Sequence, residues 1–346
     1  MIKVIQWATG TVGIHAAPGI AAHPDLELTG LWVHSADKAG RDAGELCGGA
    51  NLGVTATNDA DALIATHPDA ICYTANSDLR PDGVVNDLCR FLEAGINVVN
   101  TSFVPLLFPA AIDGDTNDRL QAAALKGGAS IYTSGIDPGF GNAGLAIHLA
   151  ALCKEIKTIR MMEIVNYATW DNPFTMFEIM GFGKERTDQS LLLSPGSTAL
   201  AWGPVVELVA KAIQLKLDRI EEWHEIIRAD ETFDIASGTV EEGTISGMRF
   251  EIRGMVGDEA RIIVEHVTRL RDHDAPEWPQ GGGYRITIDG EPCVHSELEL
   301  SSHLGDHNHA GCLVTAMHVI NAIPAVVAAE PGIVTMLDLP VYSAHA

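Results

Sequence analysis

Six residues near the start of the chain have the composition of a phosphate-binding turn. Ala8-Thr9-Gly10-Thr11-Val12-Gly13 follows the apolar run Lys3–Trp7 and precedes an apolar segment. The pattern is G-x-G-x-x-G with Ala8 in the first glycine's place. Gly10 lets the backbone approach a pyrophosphate, and Gly13 lets a helix pack closely on a strand. The free N–H groups around Thr11 and Val12, at the helix N-terminus, face the phosphates. Pro18-Gly19 falls early in that helix and predicts a short or kinked one. The next informative stretch ends the second apolar run. His34 and Ser35, with Lys38 and Arg41 close behind, suit a 2′-phosphate and favour NADP; Asp37 is a possible ribose acid and keeps NAD open. Lys38 and Arg41 also fit a plain solvated loop.

Two further groups have chemical potential. His303-Leu304-Gly305-Asp306-His307-Asn308-His309 is the densest set of potential metal ligands. Helix capping by Asp306 or Asn308 explains the run without an ion, so no metal is expected, and His307 is taken as a proton donor to the active site. His266 and His273 are weaker candidates of the same kind. Met180-Gly181-Phe182-Gly183-Lys184 reads either as a mobile lid or as an exposed loop.

The elements that must hold these residues alternate. Strand-like runs at Lys3–Trp7, Glu27–His34, Ala70–Thr74, Ile96–Asn100 and Ser130–Thr133 are separated by helical patterns such as Gly83–Ala94 and Asp118–Lys126. Apolar strands alternating with helices predict a doubly wound parallel sheet, a Rossmann domain. At its carboxyl edge Asn76, Thr101 and Ser102 are placed as cofactor contacts; Thr101 and Ser102 fit ordinary turn capping equally well. From about Cys153 the pattern becomes strand-rich: Thr158–Tyr167, Thr239–Ile245, Arg249–Val256, Ala260–Leu270 and Tyr284–Ile288, with a helix over Ala201–Leu217 and a hairpin signal at Asp289-Gly290. This predicts an α+β domain with a mostly antiparallel sheet. The helical stretch Cys312–Ala328, ending at Pro324, is expected to return to the first domain. The reading is therefore a Rossmann domain over 1–150, joined by 310–346, and a substrate and dimerisation domain over 151–309.

Composition narrows the function. A formal net charge of −24 disfavours nucleic acid and anionic membranes as partners. No 18-residue apolar run and no signal peptide are evident, so a cytoplasmic protein is expected. The six scattered cysteines read as reduced thiols.

The Ala8–Gly13 turn, Ser134-Gly135-Ile136-Asp137-Pro138-Gly139-Phe140 and Thr315-Ala316-Met317-His318-Val319-Ile320-Asn321-Ala322-Ile323-Pro324 resemble dihydrodipicolinate reductase-like proteins, above all their 2,4-diaminopentanoate dehydrogenase and native amine dehydrogenase branch. Glu163, Asp171 and Pro173 fit the reductases' E-x-H-H-x-x-K-x-D-x-P-S-G-T frame. Val165 and Asn166 replace its histidines, Thr169 its lysine, and Phe174-Thr175-Met176 its S-G-T turn. A dicarboxylate substrate needs cations there, so the resemblance implies a shared scaffold and a smaller, more apolar substrate. It also places substrate contacts at Asn166, Tyr167, Thr169 and Trp170, with Tyr167 as a proton donor or a packing aromatic. Phe140, Trp170 and Phe174 line the expected pocket. The branch carries a glutamate after the fifth strand; here Asn97–Pro109 has no acid. The expected function is an NAD(P)H-dependent, amine dehydrogenase-like oxidoreductase acting on a small ketone, aldehyde or imine, as a homodimer. The alternatives are a reductase that does not use ammonia, an inactive NADP-binding sensor and, leaving the glycine turn unexplained, a metal-dependent lyase or hydrolase.

Overall fold

The computed structural model describes residues 1–77 and 80–345; Asp78, Leu79 and Ala346 lie outside it. The chain divides into two compact units, residues 1–136 with 312–346, and residues 137–311.

Unit one is built on seven strands: β1 (Ile2–Trp7), β2 (Leu26–Trp32), β3 (Ala56–Thr57), β4 (Ala70–Tyr73), β5 (Asn97–Asn100), β6 (Ser130–Thr133) and β15 (Gly332–Val334). Their spatial order is β3-β2-β1-β4-β5-β6-β15, all parallel. The order reverses between β1 and β4, and such a switch point is where a doubly wound sheet binds ligands. β4 and β6 are buried at every position, because helices cover both faces of a parallel sheet. The helices are α1 (Gly13–Ala22), α2 (Ala43–Leu46), α3 (Ala60–Ile64), α4 (Pro81–Glu93) and α5 (Gly114–Gly127).

One helix expectation needs correction, that of the last helix. α1 is ten residues long and contains Pro18, running to Ala22. Its Ala16, Ala17 and Ile20 are fully buried, and that burial outweighs the lost hydrogen bond. The last helix, α8 (His307–Val327), starts five residues earlier than expected and continues through Pro324. By length and composition it is the one helix among the described residues that passes as a membrane span. Its Ala316, Val319, Ile320, Ile323 and Val326 are nevertheless fully buried against Val4, Ile20 and Leu31, as in a core helix.

Unit two contains α6 (Leu145–Ala150), α7 (Ser197–Ala212), the small hairpin β9 (Phe233–Ile235) and β10 (Gly238–Val240), and a six-stranded sheet. The sheet strands are β7 (Glu155–Asn166), β8 (Arg219–Arg228), β11 (Ile245–Val256), β12 (Glu259–Arg269), β13 (Gly283–Glu291) and β14 (Val294–Leu298), in the order β14-β13-β7-β12-β11-β8. Only the β7–β12 pair is parallel. The hairpin between β13 and β14 is present, but Asp289 and Gly290 still pair with β7, across a register shift. The run expected as one strand over 239–245 is divided between β10 and the start of β11.

The two faces of this sheet differ because side chains alternate along each strand. One face carries an ion-pair ladder. Arg160 bonds Glu251 at 2.7 Å and also Glu265; Arg249 bonds Glu265 at 2.7 Å and Glu225 at 3.2 Å. The other face is covered by α7, whose Val206 would meet a Cβ placed on Gly254 at 2.6 Å. Glu222 of β8 anchors the start of this helix, accepting from Gly196 N, Thr198 Oγ1 and Ala199 N at 2.6–2.8 Å. That anchor sets α7 down one turn before Trp202.

Candidate active site

In unit one the glycine turn has the geometry of a pyrophosphate cradle. A Cβ on Gly13 would lie 2.2 Å from Ala8 O, whereas the space around Gly10 is open. Ala8 takes the left-handed conformation, φ 79°, that a glycine normally fills. No side chain caps the N-terminus of α1, and the positive end of a helix left uncapped in this way suits an anion. Thr74, just after β4, buttresses the turn, its Oγ1 accepting from Gln6 Nε2 at 2.8 Å. These residues fit a dinucleotide.

The groups expected beside the turn divide clearly. Lys38 donates to Thr9 Oγ1 at 3.1 Å and so stands over the turn. Arg41 is occupied instead by Glu45, through Nε and Nη2 at 3.0 and 2.8 Å. His34 and Ser35 are exposed after β2. Asn76 follows β4; Thr101 and Ser102 follow β5, where Thr101 N bonds Tyr73 O and Ser102 N bonds Asn100 Oδ1.

Unit two holds a buried charged cluster that the sequence analysis did not assemble. Register places Tyr284 of β13, Glu163 of β7, His266 of β12 and Phe250 of β11 side by side across four strands. Directly paired residues share a face, so all four project under α7. His266 Nδ1 lies 3.1 Å from Glu163 Oε2, and its Nε2 lies 3.5 Å from Asp137 Oδ1. Glu163 also accepts from Tyr167 Oη and Tyr284 Oη, each at 3.0 Å. Trp202 Nε1 donates to Asp137 Oδ1 at 2.7 Å. The imidazole stacks on Phe250 at 4.7 Å and meets Trp202 at 4.5 Å, a favourable environment for a cation. The side chains of Asp137, Glu163 and His266 are 4%, 7% and 5% exposed.

Burial by itself would lower the His266 pKa; the Asp137 and Glu163 carboxylates reverse this and push it up to about 10. Burial works against the Glu163 charge too, but His266 and the two tyrosine hydroxyls outweigh it and hold its carboxyl below the usual value. Asp137 moves the other way. Burial raises it, His266 pulls back, and the Glu163 charge adds to the rise. Two buried carboxylates therefore face one imidazole whose pKa they raise.

The sequence-chosen residues fall into different places. Tyr167 belongs to the charged cluster. Asn166, Thr169 and His307 instead line a cavity of about 500 Å³ with Asp272, Glu299 and Asp306. Asn166 donates to Asp272, and Thr169 to Asp306; Asp306 also caps His309 N at 3.1 Å. Trp170 leans on Tyr167 at 5.9 Å, and its Nε1 is buried. Phe140 packs over Gly144, while Phe174 is 38% exposed and faces outward. The Met180–Lys184 stretch is tied to β11 by Gly183 N to Ile245 O and Ile245 N to Lys184 O, both 2.9 Å, with Phe182 fully buried. It is an anchored segment rather than a free lid. Asp137, Tyr284 and Trp202 were missed as site residues; the legible hint was an acid and a histidine on inward positions of apolar strands.

Comparison with known proteins agrees with this architecture. Residues 143–346 match the family described as 2,4-diaminopentanoate dehydrogenase C-terminal domain. An amine dehydrogenase of Streptomyces virginiae is 36% identical over 98% of this chain and 96% of its own length. A 2,4-diaminopentanoate dehydrogenase of Acetoanaerobium sticklandii is 26% identical over 74% of this chain and 70% of its own. The solved structure of an amine dehydrogenase from Mycobacterium smegmatis superposes with a TM-score of 0.78 at 22% identity, covering 99% of this chain and 97% of that one. The chain belongs to the 2,4-diaminopentanoate dehydrogenase and amine dehydrogenase family.

Proposed function

We propose that the protein is an NAD(P)H-dependent amine dehydrogenase that interconverts a small, mostly apolar ketone or aldehyde, through its iminium ion, and the corresponding amine. One observation carries this reading: two buried carboxylates, Asp137 and Glu163, share a single imidazole, His266. A buried carboxylate without a full counter-charge is costly, and the cationic nitrogen of an iminium or alkylammonium ion supplies a partner. The rings of Trp202, Phe250 and Tyr167 around the cluster favour a compact apolar substituent. When bound, the nicotinamide supplies or accepts the hydride.

Gly10, Thr11, Val12 and Gly13 would hold the pyrophosphate, with His34, Ser35, Asn76, Thr101 and Ser102 as further contacts at the carboxyl edge. Lys38 supports a preference for NADP. Lys38→Ala is expected to weaken NADPH binding by roughly tenfold, about 1.4 kcal/mol, and NADH binding less than twofold. A fluorescence titration with both cofactors reads this; equal losses would remove the preference. A homodimer is part of the proposal, supported by exposed Phe174, Leu191 and Leu200 in unit two; light scattering at micromolar protein tests it.

The test of the reaction is oxidation of NADPH or NADH with a panel of small ketones and aldehydes, with and without ammonium. Ammonium-dependent oxidation is expected. Ammonium-independent oxidation would replace the reading with a carbonyl reductase. Tight cofactor binding without turnover would favour a sensor, and no binding of either cofactor would overturn the proposal.

A further inference from the structure

We infer that Asp137 is the catalytic residue that exchanges protons with the substrate nitrogen, doing the work of the acid missing after β5, and that Glu163 is only the fixed counter-ion of His266. The inference rests on the amine dehydrogenase reading above.

The two carboxylates are unequal in their surroundings. Glu163 sits mid-strand in β7 and takes three donors, one of them on Oε1 and two on Oε2. A carboxylate so saturated stays ionised and has little room for a ligand. Asp137 stands instead in an extended turn, Asp137-Pro138-Gly139, between β6 and α6. Its hydrogen-bond donor, Trp202 Nε1, meets Oδ1, and His266 Nε2 stands 3.5 Å from the same oxygen. Among the described residues no hydrogen bond reaches Oδ2, so that oxygen keeps its capacity to bond a reacting group. Burial and the neighbouring Glu163 charge raise the Asp137 pKa while His266 opposes them, which suits a group that must both take and return a proton.

The step balances as follows. Ionised Asp137 takes a proton from ammonium. The ammonia released forms a C–N bond to the substrate carbonyl carbon, giving a neutral carbinolamine. Asp137 returns its proton to the carbinolamine hydroxyl, the C–O bond breaks with its electron pair leaving in water, and an iminium cation remains beside the regenerated carboxylate. His266 and Glu163 do not change protonation. Trp202 is a positioning residue that holds Oδ1.

Asp137→Asn keeps the shape and removes the base. Two routes are compared in the variant and the parent: ketone plus ammonium, and a preformed cyclic iminium ion that needs no condensation. The expected result is a fall of about 10³-fold in kcat/KM for the ammonium route, at least ~100-fold greater than the fall for the iminium route, with cofactor binding retained. Equal falls on both routes, or none on either, would overturn the assignment. Trp202→Phe gives a second reading that does not depend on Asp137→Asn folding. Asp137, His266, Glu163, Tyr167 and Tyr284 are the titratable groups around the site, and only Asp137 loses a donor. Its carboxyl should protonate more readily, so the acid limb of ammonium-dependent kcat/KM should move up by about one pH unit. An unmoved limb would count against the inference. If the parent enzyme shows no ammonium-dependent turnover, the amine dehydrogenase reading fails and takes this inference with it; if the parent turns over and Asp137→Asn does as well, only the inference fails.

Discussion

Replacing His266 with alanine should cost the fold about 3–5 kcal/mol at neutral pH, because it strips the cation from two buried carboxylates. At roughly 2–4 °C per kcal/mol for domains of this size, the melting temperature should fall by about 10 °C. The pH dependence gives the stronger signature. In the parent, folding raises the His266 pKa from its ordinary 6.5 to about 10. The folded state therefore holds a proton that the unfolded state releases between those values. That contribution is fully present below pH 6.5 and is lost as pH climbs toward 10. The parent should lose stability steadily across this window, and the variant should lack that slope. Glu163 acts in the opposite sense: its lowered pKa stabilises above about 4.5, and the benefit goes as pH falls through the folded value. Thermal melts from pH 6 to 10 on both proteins test the argument. A flat parent profile, or a variant within about 2 °C of the parent throughout, would show that the imidazole is not the charged centre of the cluster.

A methyl group on Gly13 should do comparable damage to cofactor binding. The added Cβ of Gly13→Ala would sit 2.2 Å from the Ala8 carbonyl oxygen and 2.8 Å from Thr74 Oγ1. A backbone oxygen at that distance cannot yield as a side chain does, so the turn must open and pull α1 away from β1. Affinity for NADPH should fall at least ~100-fold, with a stability loss of about 1–3 kcal/mol. Gly10→Ala is the control. Nothing lies within 4 Å of its Cβ position in the protein, so the folded state should be unaffected while a pyrophosphate approaching that backbone would be obstructed. Calorimetric titration beside a thermal melt separates the two effects. A stable Gly13→Ala protein with parental affinity would place the cofactor away from this turn.

The difference between what was and was not legible is one of sequence distance. The Rossmann half is written mostly locally: a buried strand, a glycine turn and a helix occupy residues 2–22, and strands alternate with helices from β1 to β6. The charged cluster is not local. Asp137, Glu163 and His266 meet because β7 pairs in parallel with β12, about a hundred residues downstream, and nothing in either segment announces that pairing. Glu163 is legible through the reductase-like frame, and His266 as a weak proton-donor candidate, but neither segment names its neighbours. Arg41 shows what local type leaves open: its type and position suit a phosphate, and Glu45 one helical turn later also pairs with it.

The alternation of charge on β12 has a further consequence, for the fidelity of folding. Glu265 and His266 are adjacent, and each is matched to a different face: Glu265 to Arg160 and Arg249, His266 to Glu163 and Asp137. A slip of β12 by one residue would exchange them. Glu265 would then join two other carboxylates under α7 with no cation among them, and the histidine would be driven against two arginines. An all-apolar strand could slide and still bury its surface. This one meets like charge on both faces when it slips by one residue, so the misaligned sheet is penalised on both sides at once.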